Sequence, residues 1–133
     1  MPRGKQQGWN STLKAKSDKR IKHDHETAEP RRGYKAEFLM CQCCCKRLAT
    51  DLHEIARGVH REAATKHVAA WLSLCSKCHE EMGDYSKWPI TKQLALKLVS
   101  DPSRFDLTVI NKIRGRASDG ITLVDVARHL RIK

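Results

Sequence analysis

Cys41-Gln42-Cys43-Cys44-Cys45 and, about thirty residues further on, Leu74-Cys75-Ser76-Lys77-Cys78-His79 are the two stretches on which the reading of this chain turns. Each carries a C-x-x-C pair: Cys41 with Cys44, and Cys75 with Cys78. A two-residue gap lets both sulfurs of one knuckle reach a single tetrahedral ion at about 2.3 Å without strain. Two such pairs predict a structural Zn2+ held by four thiolates, which pins distant segments together. Cys43 and Cys45 leave a choice open, since either could replace Cys44. The preferred set is Cys41, Cys44, Cys75 and Cys78, with Cys45 at a turn position. The plainer alternative is that some of these are buried thiols only.

The surroundings favour metal over disulfides. The N-terminal stretch is polar and basic, with no apolar run after it, so neither a signal peptide nor a membrane span is expected. The chain therefore reads as cytosolic, where thiols stay reduced. Six cysteines in that setting point to an ion. Aromatic residues make up only 5% of the chain, and so small a core needs a staple.

Outside the cysteine region the chain has two kinds of flank. Residues 1–36 carry Lys5, Lys14, Lys16, Lys19, Arg20, Lys22, Arg31, Arg32 and Lys35 with few apolar side chains. No helical or strand period persists there, so a basic, flexible arm is expected, followed by a domain over 37–133. In that domain, 46–55 alternates loosely like a hairpin strand, and 61–72 has helical composition. Ser76 onward suits a short helix. Pro89 starts a helix carrying Ile90, Leu94, Ala95 and Leu98. Asp101-Pro102 opens another, with Asp101 as cap and Gly115 at its end. A last helix is expected over 122–130, with Leu123, Val126 and Leu130 facing inward.

The formal charge is +11, from 26 Lys and Arg against 15 Asp and Glu in 133 residues. Such a surplus repels itself and fits a polyanionic partner. Nucleic acid is the common one, because each neutralised phosphate releases a condensed counterion.

Between the knuckles lies Asp51-Leu52-His53-Glu54-Ile55, and His79 directly follows the last paired cysteine. With the two C-x-x-C pairs, this order resembles zinc-containing HNH endonucleases, small phage-type HNH proteins above all. The likeness continues through Ile55-Ala56-Arg57-Gly58 and Asp84-Tyr85-Ser86-Lys87-Trp88-Pro89-Ile90. It covers roughly residues 38–90, and more loosely to about 116. It implies an α+β fold: a small ββα-metal (HNH, or His-Me finger) core with a four-cysteine zinc and additional C-terminal helices. It also implies Mg2+ or another divalent ion that stabilises the scissile phosphate, and a general base acting on water. By position, His53 and His79 fall on the ligands of that ion, and Glu54 falls on the base.

The sequence departs from the family pattern at three positions. Glu54 stands where a histidine base is usual, Ala70 near the middle asparagine, and Gly83 at the final histidine. Two expectations follow. Glu54 serves as base or ligand, with His60, His67 or Asp84 completing the site; or the fold survives as a binding module. Arg57, His60, Arg61, Arg114 and Arg116 are the expected phosphate contacts. The function expected is metal-dependent hydrolysis of DNA phosphodiesters; the alternative is a non-catalytic zinc protein that binds nucleic acid. The expected partners are DNA and proteins of phage replication, recombination or packaging in a bacterial cytoplasm, with no membrane.

Overall fold

The computed structural model describes residues 18–56, 58–115 and 120–130. The chain divides into two compact units, Met1–Pro30 and Arg31–Lys133. Of the first, only residues from Asp18 onward are described, and they belong to helix α1, Asp18–Glu37. The segment expected to lack regular structure is thus helical over its second half. Its Lys, Arg, Glu and Ala residues favour a helix individually but give it no apolar stripe to read. Tyr34, near the end of α1, is buried.

The second unit is organised on an antiparallel pair, β1 (Asp51–Glu54) and β2 (Trp71–Leu74). The register sets His53 opposite Leu72 and Glu54 opposite Trp71. Because side chains alternate across a strand, Asp51 and His53 share one face of β1 and Glu54 takes the other. Helix α2 is a single turn, Arg61–Ala64. The expected helix over 61–72 stops there: a 3-10 turn follows at Val68–Ala70, and Trp71 onward is β2. The apolar run that read as helical is a strand buried along its whole length, a pattern in which helix and strand look alike.

Helix α3, Ser76–Met82, follows β2 directly and packs on both strands. The Cys75 sulfur caps it by accepting the Cys78 amide at 3.4 Å. Helix α4 runs Ile90–Ser100 and α5 runs Leu107–Ile113. Between them Pro102–Arg104 forms a 3-10 turn. Asp101 does not cap this stretch as expected, because its carboxylate is engaged elsewhere; Asp106 caps α5 through the Val109 amide. Gly115, with φ +69, follows the end of α5 in the left-handed conformation that suits glycine. Helix α6, Leu123–Ala127, begins with a capping box of Thr122 and Asp125. Of its expected inward stripe only Val126 is buried, while Leu123 and Leu130 are exposed. Among the described residues, no helix is long and apolar enough to cross a membrane.

A buried polar knot fixes α4 against the sheet. The Lys97 ammonium, fully buried, donates to Tyr34 Oη, Val68 O, Trp71 O and Asp101 Oδ2 at 2.8 to 2.9 Å. It has three protons for these four oxygens, so one is shared. Burial pushes the Asp101 carboxyl up, but Lys97, Tyr34 and Arg104 outweigh it and hold it below the ordinary carboxylate range. Burial pushes the Lys97 ammonium down. Breaking such a pair from one side costs about 3–5 kcal/mol, because the other charge stays buried.

Lys97→Met is therefore expected to lose about 3–5 kcal/mol at neutral pH in urea denaturation. Asp101 has a lowered folded value, so its contribution is complete above its unfolded value, near pH 4, and is lost as pH falls through the folded one. The gap between Lys97→Met and wild type should narrow below about pH 4, where the protonated carboxyl no longer needs a cation.

Candidate functional site

Two features meet on the β1–β2–α3 element. The first is the cysteine cluster. The Sγ atoms of Cys41, Cys44, Cys75 and Cys78 all lie within 4.8 Å of one another. A tetrahedral ion at 2.3 Å draws four sulfurs to about 3.8 Å apart, so the donor set and its size fit zinc. Among the described residues, no other group of three or more His, Cys, Asp or Glu is gathered this closely. All six cysteines are free thiols.

Local backbone builds the cluster. Residues 41–45 form a turn closed by the Cys45 amide on Cys41 O at 3.0 Å. Cys45 sits at φ 58, in the left-handed region, and is exposed, which is the turn position expected for it. Cys43 is half-buried and outside the group of four. The knuckle is tied to β2 by the Gln42 amide on Ser73 O and by the Ser73 amide on Gln42 Oε1. Thiolates need positive partners, and the cluster has them. Arg47 Nε donates to Cys75 Sγ at 3.2 Å and pulls that thiol down to about 6. The Lys46 amide on Cys44 Sγ lowers Cys44. Burial works the other way at Cys78 and pushes its thiol up. Arg47 was not singled out in the sequence; a lone arginine three residues after a knuckle carries no pattern.

The second feature is a histidine pair. His53 on β1 and His79 on α3 meet edge to face, with ring centroids 5.2 Å apart. They line a cavity of about 340 Å³ with Glu54, Ala56, Gly58, Arg61, Gly83 and Tyr85. His79 Nδ1 donates to Asp51 Oδ2 at 2.9 Å, and this bond holds the Asp51 carboxyl below its ordinary value. His53 is buried, and burial lowers its pKa. Its Nε2 lies 2.7 Å from Gln93 Oε1 of α4. Each ring thus has one nitrogen engaged and one lone pair left over. Imidazoles that ligate a metal ordinarily donate their other N–H to a fixed acceptor in this way. The two rings offer at most two nitrogen donors, since among the described residues no group of three or more His, Cys, Asp or Glu is gathered here.

Glu54 is placed differently from the expectation. Although it alternates with His53 along β1, it borders the same cavity, and it is buried beside Arg31, whose Nη1 lies 2.8 Å from Oε2 without hydrogen-bond geometry. Arg61 Nη2 is 3.5 Å from Oε1. A carboxylate between two guanidiniums is an ion-pair partner before it is a base.

The remaining expectations fall out as follows. Arg61 borders the cavity, whereas His60 and Arg114 do not. Arg57 and Arg116 lie outside the described residues. His67 borders a separate cavity, and Asp84 Oδ1 closes a turn by accepting from the Ser86 amide and hydroxyl, so neither completes the histidine pair. Ala70 is buried and offers only its carbonyl, to the Ile55 amide. Gly83 borders the cavity without a side chain to offer.

No family model matches this chain, and neither a curated protein nor a solved structure does.

Zinc content gives the direct check. Serine at Cys41, Cys44, Cys75 or Cys78 should abolish stoichiometric zinc and unfold the second unit, since such sites contribute about 10–16 kcal/mol of folding free energy. Serine at Cys43 or Cys45 should leave one zinc per chain. Arg47→Ala should keep the stoichiometry and weaken affinity about 10–100-fold in a chelator competition.

Proposed function

We propose that the protein is a metal-dependent endonuclease of the HNH type, hydrolysing phosphodiester bonds of DNA. One observation carries the reading: strand-borne His53 and helix-borne His79 come together at a cavity with Arg61 at its edge, next to the four-cysteine cluster. The strand–strand–helix order fits the ββα-metal element implied by the sequence resemblance, and the +11 charge fits a polyanionic substrate. A divalent ion at the pair supplies charge stabilisation for the phosphate and for the leaving oxygen. His53 and His79 hold it. Asp51 and Gln93 hold the two rings, and Arg61, largely exposed, meets phosphate. Glu54 acts as base only once it has left Arg31. Imidazole donors suit Mn2+, Ni2+ or Zn2+ better than Mg2+, which prefers oxygen.

A second reading is a zinc-containing protein that binds nucleic acid without cutting it. The ion pairs of Glu54 favour it, as do Ala70 and Gly83 at two positions where the family carries side-chain donors.

Supercoiled plasmid with each divalent ion in turn separates the two. The nuclease reading expects nicking that is stronger with Mn2+ or Ni2+ than with Mg2+ and is lost in His53→Ala and His79→Ala. Retardation that weakens with salt, without nicking under any ion, establishes the binding protein instead. Nicking that persists in His53→Ala refutes the site assignment.

A further inference from the structure

Gln93 is a polar side chain with no exposed surface, set on the inward stripe of α4 between Ile90, Leu94 and Lys97. A buried amide must satisfy both of its ends. Its Nε2 lies 2.8 Å from Trp88 O and 3.4 Å from Met82 O, and carbonyl oxygens can only accept. That fixes the amide, so Oε1 is the end that faces His53 Nε2 at 2.7 Å. A carbonyl-type oxygen at that distance requires a proton on Nε2. In a neutral ring the lone pair is then on Nδ1.

We propose that Gln93 is a positioning residue that selects the ring nitrogen of His53: it holds the Nε2–H tautomer and leaves Nδ1 as the lone pair offered to a ligand. That the ligand is a divalent ion rests on the nuclease reading above; the tautomer itself does not. The selection starts far along the chain. Trp88 O and Met82 O, on either side of the turn between α3 and α4, orient the amide, and the amide orients an imidazole on β1. Asp51 does the same for His79 from the other side, accepting from Nδ1 and leaving Nε2 free. The two rings therefore present opposite nitrogens, each set by a different acceptor.

The test uses the full chain with zinc in its cysteine site. Long-range proton–nitrogen NMR reads the His53 tautomer directly, and calorimetry with Ni2+ reads binding beyond that zinc. Wild type should show a single neutral tautomer with the proton on Nε2. Gln93→Glu keeps an acceptor for Nε2 but loses the donor to Trp88 O and Met82 O, so it should retain the tautomer while lowering stability. Gln93→Met, similar in size but without the acceptor, should give a mixture and bind Ni2+ about 10–100-fold more weakly. A wild-type proton on Nδ1 overturns the proposal, and so does Gln93→Met with an unchanged tautomer. Should Gln93→Met fail to fold, the wild-type and Gln93→Glu spectra decide the matter. A wild type that takes up no Ni2+ defeats the ion reading alone, because the spectra still decide whether Gln93 sets the tautomer.

Discussion

Four sulfurs brought within 4.8 Å of one another, three of them buried, are the constraint on which the remainder of the chain depends. Burial opposes ionisation at Cys78, while the Arg47 side chain and the backbone amides of Lys46, Arg47 and Cys78 favour it at Cys75 and Cys44. A single cation shared among all four would close the balance and would join the 41–47 knuckle to the start of α3. The knuckle is in turn laced to β2 through Gln42 and Ser73. Two strands of four residues each are too little sheet to stand alone in water. A metal held by the four sulfurs would give β1 and α3 fixed places, the two elements on which His53 and His79 meet.

Helix α4 acts on both strands of this element with residues one turn apart. Gln93 reaches His53, whose cross-strand partner is Leu72; Lys97 reaches Trp71 O at the start of β2 and Val68 O just before it. Both occupy inward positions where an apolar side chain would ordinarily sit. An apolar stripe would pack α4 on the sheet with some freedom of register. A lysine that must find Asp101, Tyr34 and two carbonyls, and a glutamine that must find two carbonyls and an imidazole, allow very little. The directional bonds set the alignment of the histidine pair.

This division explains what the sequence revealed. The cysteine cluster was legible because its chemistry demands a fixed local spacing, and its four members are those the spacing picks out. His53 and His79 were singled out by the resemblance, and the structure brings their rings together; Asp51 stood in the quoted motif with no role assigned to it. Trp71 and Leu72 were read as the end of a helix over 61–72 because a strand buried on both faces has no alternation to display. Helix α1 was missed for the opposite reason, since a polar helix has no stripe. Gln93, Lys97 and Arg47 act across 28 to 63 residues of sequence, and no local rule reaches so far. One trace was present: Gln93 and Lys97 interrupt the Ile90, Leu94 spacing where apolar residues belong, and a polar residue on an inward stripe must be satisfied by something.

The charge pattern bears on which residues can do chemistry. Glu54 is bound by Arg31 and Arg61 at the edge of the cavity it shares with His53, so a proton-accepting role there needs an ion pair to open. His53 and His79 need no such rearrangement, because Gln93 and Asp51 already occupy the nitrogens that would otherwise compete. Arg61 stands between the two situations. Its guanidinium is 65% exposed while it faces a carboxylate, so it is loosely held and free to exchange that carboxylate for phosphate. In a chain of net charge +11, a phosphate reaching the cavity would find Arg61 at its edge, and a contact made there would loosen one of the two holds on Glu54. Under the nuclease reading proposed above, the two imidazoles would be ready, the arginine exchangeable, and the carboxylate available only after the arginine had moved.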